Sequence, residues 1–182
     1  MNERQKARAC HRRRPPLYNI AMNSITDTDL DERQWLEHVL TSDIPMGGAM
    51  ALQVAQLDAA GVVLDLPLAA NVNDKGTAFG GSLASAMILA GWSLPRLLLR
   101  RAGVRAELVI GRCEIHFTRP VNGRFQARCP WPATGDCERF TRRLEHAGRA
   151  SLVLEPDILA EGKVAARLTA KYAALIPSGS SK

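Results

Sequence analysis

The sequence predicts an α+β fold in which one long helix lies inside a curved antiparallel sheet. Residues 78–95 form a helix-length run without a charged side chain. Segments before and after it alternate apolar and polar residues at the period of a half-buried strand. A helix that is apolar on nearly every side must be buried, and strands cover a single helix only if their sheet bends around it.

The first element is a covering helix over residues 28–41. Thr28-Asp29-Leu30-Asp31 resembles a capping box, and Trp35, Leu36, Val39 and Leu40 recur at helical spacing. Ser42-Asp43-Ile44-Pro45 is expected to end it. Residues 49–57 and 62–68 read as two strands about the turn Asp58-Ala59-Ala60-Gly61, with Val62, Leu64, Leu66 and Leu68 on one face. A polar loop over residues 71–79 leads into the long helix. Pro95 is expected to kink that helix or start a second segment over residues 96–102, where Arg100 and Arg101 suit a C-terminal dipole. Four strands follow, over residues 106–118, 124–129, 149–159 and 163–175. Asn122-Gly123 reads as a hairpin turn between the first two, and residues 135–146 as a short helix with Phe140 and Leu144 on one side.

The chain has 182 residues and a formal net charge of +6, which suits one domain plus an appendage. The charge is localised. Residues 1–21 hold six basic residues and one acid, leaving 18 basic against 17 acidic residues in the remainder. We read residues 1–25 as a disordered basic arm, residues 26–176 as the domain, and residues 177–182 as a flexible tail. Clustered arginines attract phosphate, but no aromatic interleaving or binding motif accompanies them, so no nucleic-acid partner is expected. The arm lacks the apolar core of a secretory signal. The uncharged run is 18 residues long with three glycines, three serines and a proline, so it is expected in a protein core and not in a membrane. Cys10, Cys113, Cys129 and Cys137 form no CxxC pair, and His11, His38, His116 and His146 lie far apart. Reduced thiols in a cytoplasm, with no metal and no cofactor, are expected.

The loop NVNDKGTAF ends in Gly80-Gly81 and opens directly into the long helix. The first amides of a helix have no intrahelical acceptor, and the positive end of its dipole points the same way. Two glycines let a ligand approach that backbone. The oxyanion of an attacked thioester would be stabilised there. Turn geometry alone also places Gly-Gly before a helix.

Asn73-x-x-Gly76-Thr77-x-Phe79-Gly80-Gly81 resembles the Asn-x-x-Gly-x-x-His-Gly-Gly signature of hot-dog acyl-CoA thioesterases. NDKGTAFGGSL followed by AGW more closely resembles a putative-thioesterase family also found as the C-terminal half of certain acetyltransferase fusions, which includes malonyl-ACP decarboxylases. His116-Phe117-Thr118-Arg119-Pro120-Val121 and Gly148-Arg149-Ala150 extend the resemblance over residues 30–176. It implies a hot-dog fold, an acyl-CoA or acyl-ACP substrate, possible contact with an acyl carrier protein, and a homodimer or higher oligomer with active sites at the interface. By the same resemblance Asn73, Asp74, Gly80 and Gly81 are the catalytic candidates. Asn71, Thr77, Phe79, Leu83 and Met87 are substrate-binding candidates, with Trp92 beside them. Arg100, Arg101, Arg105, Arg142 and Arg143 are candidates for phosphates or an acidic carrier, or else solvated surface residues.

Two positions depart from the signature. The expected His is Phe79, and the helix acid seven residues after the second glycine is Ile88. Asp74 could act as the base or as an Asx-turn acceptor. Asn73 could orient a carboxylate or shape the loop, and Thr77 could bind substrate or cap the helix. Hydrolysis needs an activated water, whereas decarboxylation of a malonyl thioester needs only an oriented carboxylate and a stabilised enolate. The expectation is a hot-dog enzyme that hydrolyses or otherwise processes acyl thioesters, with malonyl-ACP decarboxylation and non-catalytic acyl-thioester binding as alternatives.

Overall fold

The computed structural model describes residues 27–177. The basic arm, most of the expected tail, Cys10 and His11 lie outside the described residues, as do the side chains of the capping box. Helix α1 (Asp27–His38) runs into a π-turn over Val39–Asp43. Pro45 then opens a short helix α2 (Pro45–Ala49) where only a helix end was expected. A proline suits the first helical turn because its missing N–H has no intrahelical partner there. Strand β1 therefore starts late, at Gln53–Asp58, and pairs with β2 (Gly61–Leu66). Val62, Leu64 and Leu66 are buried together on one face, as their alternation predicts, whereas the half-buried Leu68 lies beyond the strand, where the chain turns helical.

The central helix α3 spans Gly80–Ala102 as one element, with Pro95 inside it. Of the two expectations for Pro95, the second segment is absent: residues 96–102 continue the same helix. Packing holds the helix together: the Ser93 hydroxyl donates to the Leu89 carbonyl at 2.7 Å, and the buried Tyr172 hydroxyl donates to the Ile88 carbonyl at 3.0 Å. Gly91 makes the second contact possible, since a Cβ there would lie 2.3 Å from the Tyr172 oxygen. By length and composition α3 could cross a membrane, but 67% of its apolar window is buried inside the protein.

After α3 come β3 (Glu107–Phe117), β4 (Phe125–Pro130), α4 (Thr134–Ala147), β5 (Arg149–Leu154), β6 (Asp157–Ala160) and β7 (Lys163–Leu175). The curved antiparallel sheet has the order β1-β2-β4-β6-β7-β3, with β5 also on β7. Two expectations fail here. The strand predicted over residues 149–159 is split, because Pro156 interrupts it, and β5 and β6 take successive stretches of β7. The Asn122-Gly123 hairpin is absent: β4 pairs with β2 and β6, and β3 pairs with β7. Neither residue has the positive φ of a type I′ turn, and the buried Val121 instead carries the chain across the molecule.

The covering helix is fixed at two places. Arg101 makes a bidentate pair with the buried Glu32 (2.6–3.2 Å), and Trp35 lies under the guanidinium groups of Arg100 and Arg96 at 4.3 and 5.6 Å. On its other side Glu37 accepts from the Val54 amide at 2.7 Å and Arg33 donates to the Val54 carbonyl at 3.3 Å. These side chains satisfy a stretch of β1's open edge, one way of blunting an edge strand. The outer edge of β3 has no strand partner among the described residues.

Candidate functional site

The loop before α3 is built by its asparagines. Asn71 is 2% exposed; its side-chain amide donates to the carbonyls of Met50 (3.0 Å) and Pro67 (2.8 Å), and its own carbonyl accepts from Phe79 at 2.7 Å. It ties the loop to the preceding strands, and its buried Oδ1 accepts no hydrogen bond among the described residues. The Asn73 Oδ1 accepts from the amides of Lys75 (2.8 Å) and Thr77 (3.1 Å), and its Nδ2 donates to the Thr77 hydroxyl (2.9 Å) and the Ala78 carbonyl (3.5 Å). Asn73 therefore shapes the loop, with Gly76 in the left-handed region (φ 79°) closing it. Thr77 is engaged with Asn73 and leaves the helix start without a side-chain cap. Asp74 and Lys75 are exposed at the tip. The Ala78 amide donates to the Val121 carbonyl at 2.8 Å, which pins the loop's end to the segment after β3.

This scaffold holds the N-terminus of α3 at the surface. Phe79 stands at the N-cap in extended conformation, and its carbonyl accepts the first helical bond, from Leu83, at 3.1 Å. The amides of Gly80, Gly81 and Ser82 donate to no protein acceptor among the described residues, and all three residues are half-buried. Two phenyl rings flank them. A Cβ on Gly81 would lie 2.3 Å from the Phe79 ring, and one on Gly80 would lie 3.7 Å from the ring of Phe117. Phe79 is 56% exposed and Phe117 54%, so the rings border the opening without sealing it. Phe117 was legible as a strand residue but not as a neighbour of the helix start, because β3's position depends on long-range pairing.

The other candidates separate. Leu83 (3% exposed) and Met87 (0%) point into the core against the sheet. The less buried side of α3 carries Gly81, Ser85, Ile88 and Trp92. Arg100 lies 20 residues along α3 from Gly80, ~30 Å away at 1.5 Å per residue. It and Arg101 are occupied with Trp35 and Glu32, so neither reaches the helix start of its own chain. Arg105, Arg142 and Arg143 are exposed.

Burial pushes the Cys129 thiol up to about 12, assisted by the charge of Asp157, and raises Cys137 for the same leading reason. Both remain protonated at neutral pH and are poor nucleophiles. Among the described residues no three His, Cys, Asp or Glu side chains converge on a point.

The sequence profile of a family described as "Putative thioesterase (yiiD_Cterm)" matches residues 33–176. The crystal structure of a protein of unknown function from Chlorobaculum tepidum TLS is similar at a TM-score of 0.76 and 28% identity, covering 80% of this chain and 94% of that one. The crystal structure of a putative thioesterase from Shewanella oneidensis is similar at a TM-score of 0.72 and 24% identity, covering 81% of this chain and 99% of the other. None of the curated proteins matches the chain.

Proposed function

The chain belongs to the putative thioesterase (yiiD_Cterm) family, with a hot-dog fold, and on that premise we propose that it is an enzyme acting on acyl-CoA or acyl-ACP thioesters at the α3 helix start. One observation carries the proposal. The half-buried amides of Gly80, Gly81 and Ser82, at the positive end of a 23-residue helix, donate to no acceptor among the described residues. Such donors are aimed before the reaction begins, so stabilising an oxyanion costs no reorganisation. The thioester carbonyl oxygen sits against the Gly80 and Gly81 amides, between the phenyl rings of Phe79 and Phe117.

Two reactions use that arrangement. In hydrolysis a water attacks the carbonyl carbon, and Asp74 is the nearest carboxylate in the loop sequence. In decarboxylation of a malonyl thioester the bond to the carboxylate carbon breaks and carbon dioxide leaves, the bond's electron pair forms an enolate held by the same amides, and water protonates the α-carbon to give the acetyl thioester. The second reading is favoured by one observation: no acid occurs between Lys75 and Glu107, and Ile88 lies on the less buried side of α3.

We place the working form as a homodimer joined along β3. This strand has an open outer edge over 11 residues and carries exposed Val109, Ile110 and Phe117, whereas β1's edge is partly capped by Arg33 and Glu37. Antiparallel pairing of two β3 strands about a two-fold axis brings each Phe117, and the helix start beside it, to the interface.

The test is to incubate the purified protein with malonyl-ACP and with acyl-CoA and acyl-ACP of graded length, following free thiol and acetyl-ACP. Free thiol identifies hydrolysis and acetyl-ACP identifies decarboxylation. Absence of both with every substrate would leave only acyl-thioester binding and end the enzymatic proposal.

A further inference from the structure

Among the described residues Arg96 is a cation without a counter-ion. It lies one turn beyond Trp92 on the less buried side of α3, with its guanidinium 5.6 Å from the Trp35 ring and 5.8 Å from the Trp92 ring. Its buried Nε meets no hydrogen-bond acceptor among the described residues. The indole faces attract the charge but do not replace the in-plane acceptors that its N–H groups lose on leaving water. A half-buried charge in that state is costly, and an oxyanion gripped along the free edge of the guanidinium relieves it. Arg101, on the same helix, has such a partner in Glu32.

The helix start of its own chain is out of reach: Arg96 stands 15 residues along α3 from Gly81, ~22 Å at 1.5 Å per residue. Pairing of two β3 strands changes this. Antiparallel strands paired along their whole length set the C-terminal end of one, Phe117, beside the N-terminal end of the other, Glu107 and Leu108. Trp92 marks that second end, because its indole N–H donates to the Leu108 carbonyl at 3.4 Å. The partner's Phe117 therefore comes to Trp92, and with it the helix start that borders its ring. Arg96 is one turn, ~6 Å, further along.

We propose that Arg96 of one protomer reaches the helix start of its partner and grips the carboxylate of a malonyl-type acyl group, selecting it over an uncharged group of the same size. The inference rests on the thioester site and the β3 seam proposed above, and adds the residue that reads the acyl group. The malonyl carboxylate lies two bonds from the thioester carbonyl carbon, at the mouth, whereas the pantetheine arm carries its phosphate away towards solvent. Guanidinium and carboxylate meet as two planar forks, which a point charge on a flexible stem does not reproduce. The pair stabilises the carboxylate, which decarboxylation consumes, and not the enolate that follows. Arg96 is therefore a specificity-determining residue that acts on binding and not on the bond-breaking step.

The experiment uses amino-CoA amides, in which nitrogen replaces the thioester sulfur so that the acyl group stays intact, bearing malonyl or its uncharged isostere isovaleryl. In titration calorimetry the parent should bind the malonyl amide about 10- to 100-fold more tightly. Arg96→Met should bind both alike. Arg96→Lys keeps the charge against the indoles but loses the fork, so its preference should fall between, and it serves if Arg96→Met fails to fold. The same two amides on pantetheine without phosphate should show the same preference. Reach across the seam is tested with heterodimers purified through two affinity tags. Gly81→Glu places a carboxylate over the helix-start amides and blocks that site. A heterodimer of Arg96→Met with Gly81→Glu should regain the malonyl preference at one of its two sites, because the Arg96→Met subunit keeps a free helix start and receives the other subunit's arginine. A preference that survives Arg96→Met, an Arg96 effect that needs the arm's phosphate, or no recovery in the heterodimer would overturn the proposal. Malonyl and isovaleryl amides bound equally by the parent would remove Arg96's role and keep the thioester site, whereas neither amide bound would remove the site itself.

Discussion

Replacing Gly81 by alanine sets packing and chemistry at the helix start against each other. Gly81 lies in an α-helix and is absent from the positive-φ positions, so its backbone does not need glycine. Inside a helix alanine is favoured over glycine by about 1 kcal/mol. Against this, the new Cβ would lie 2.3 Å from a Phe79 ring carbon and must displace that ring. The ring is more than half exposed and free to rotate, so the clash costs about as much as the propensity returns. Thermal melts should therefore place Gly81→Ala within about 1 kcal/mol of the parent, or ~2–4 °C in Tm for a protein of this size. Catalysis should respond differently. The displaced ring and the methyl group crowd the approach to the Gly81 amide, and losing one oxyanion donor lowers kcat about 10²–10³-fold. The assay is kcat and KM on whichever thioester the protein turns over, beside melts of the same samples. A variant as stable as the parent that keeps kcat within threefold would refute the oxyanion role, and Gly81 would then serve only to seat Phe79.

Other expectations concern the frame around the site. Glu32→Gln should weaken the bidentate pair that holds α1 to α3, costing about 1–2 kcal/mol in urea unfolding once the partial exposure of Arg101 is allowed for. Gly91→Ala should cost about 1–3 kcal/mol by overpacking against Tyr172, and Tyr172→Phe about 1 kcal/mol for the hydrogen bond to Ile88. The double variant should be less destabilised than the sum, a non-additivity that equilibrium unfolding measures directly. The Cys129 thiol titrates higher folded than unfolded, so the folded state keeps a proton that the unfolded chain releases. Stability should fall as pH rises from about 9 towards about 12, and Cys129→Ser should flatten that slope. Val109→Lys together with Ile110→Lys should shift the protein to monomer in sedimentation velocity if β3 is the dimer seam.

The uncharged run over residues 78–95 and the Asn-Gly loop before it announced a buried helix with a bare N-terminus, and helix and loop lie where that reading puts them. Strand alternation was equally legible in β2. Asn122-Gly123 misled because turn propensity is local, whereas β3 and β4 choose partners across the sheet. Pro95 starts no second segment for a related reason: the loss of one helical bond is small beside the packing that holds α3 along its length.

Residues 71–95 alone call for one helix buried among strands, with a first turn whose amides lack intrahelical acceptors. Those properties follow from composition and short-range spacing. Which side of that helix meets the sheet is set by long-range packing. A helix apolar on nearly every side gives little in its sequence to orient it, so Leu83, Met87 and Trp92 are read together as acyl-cavity candidates although they lie on different sides of α3. The orientation of α3 follows from β7, whose Tyr172 docks at Gly91, and leaves Gly81, Ser85, Ile88 and Trp92 on the less buried side. Facing is set by contacts between residues some 80 positions apart, and spacing along the chain does not encode it.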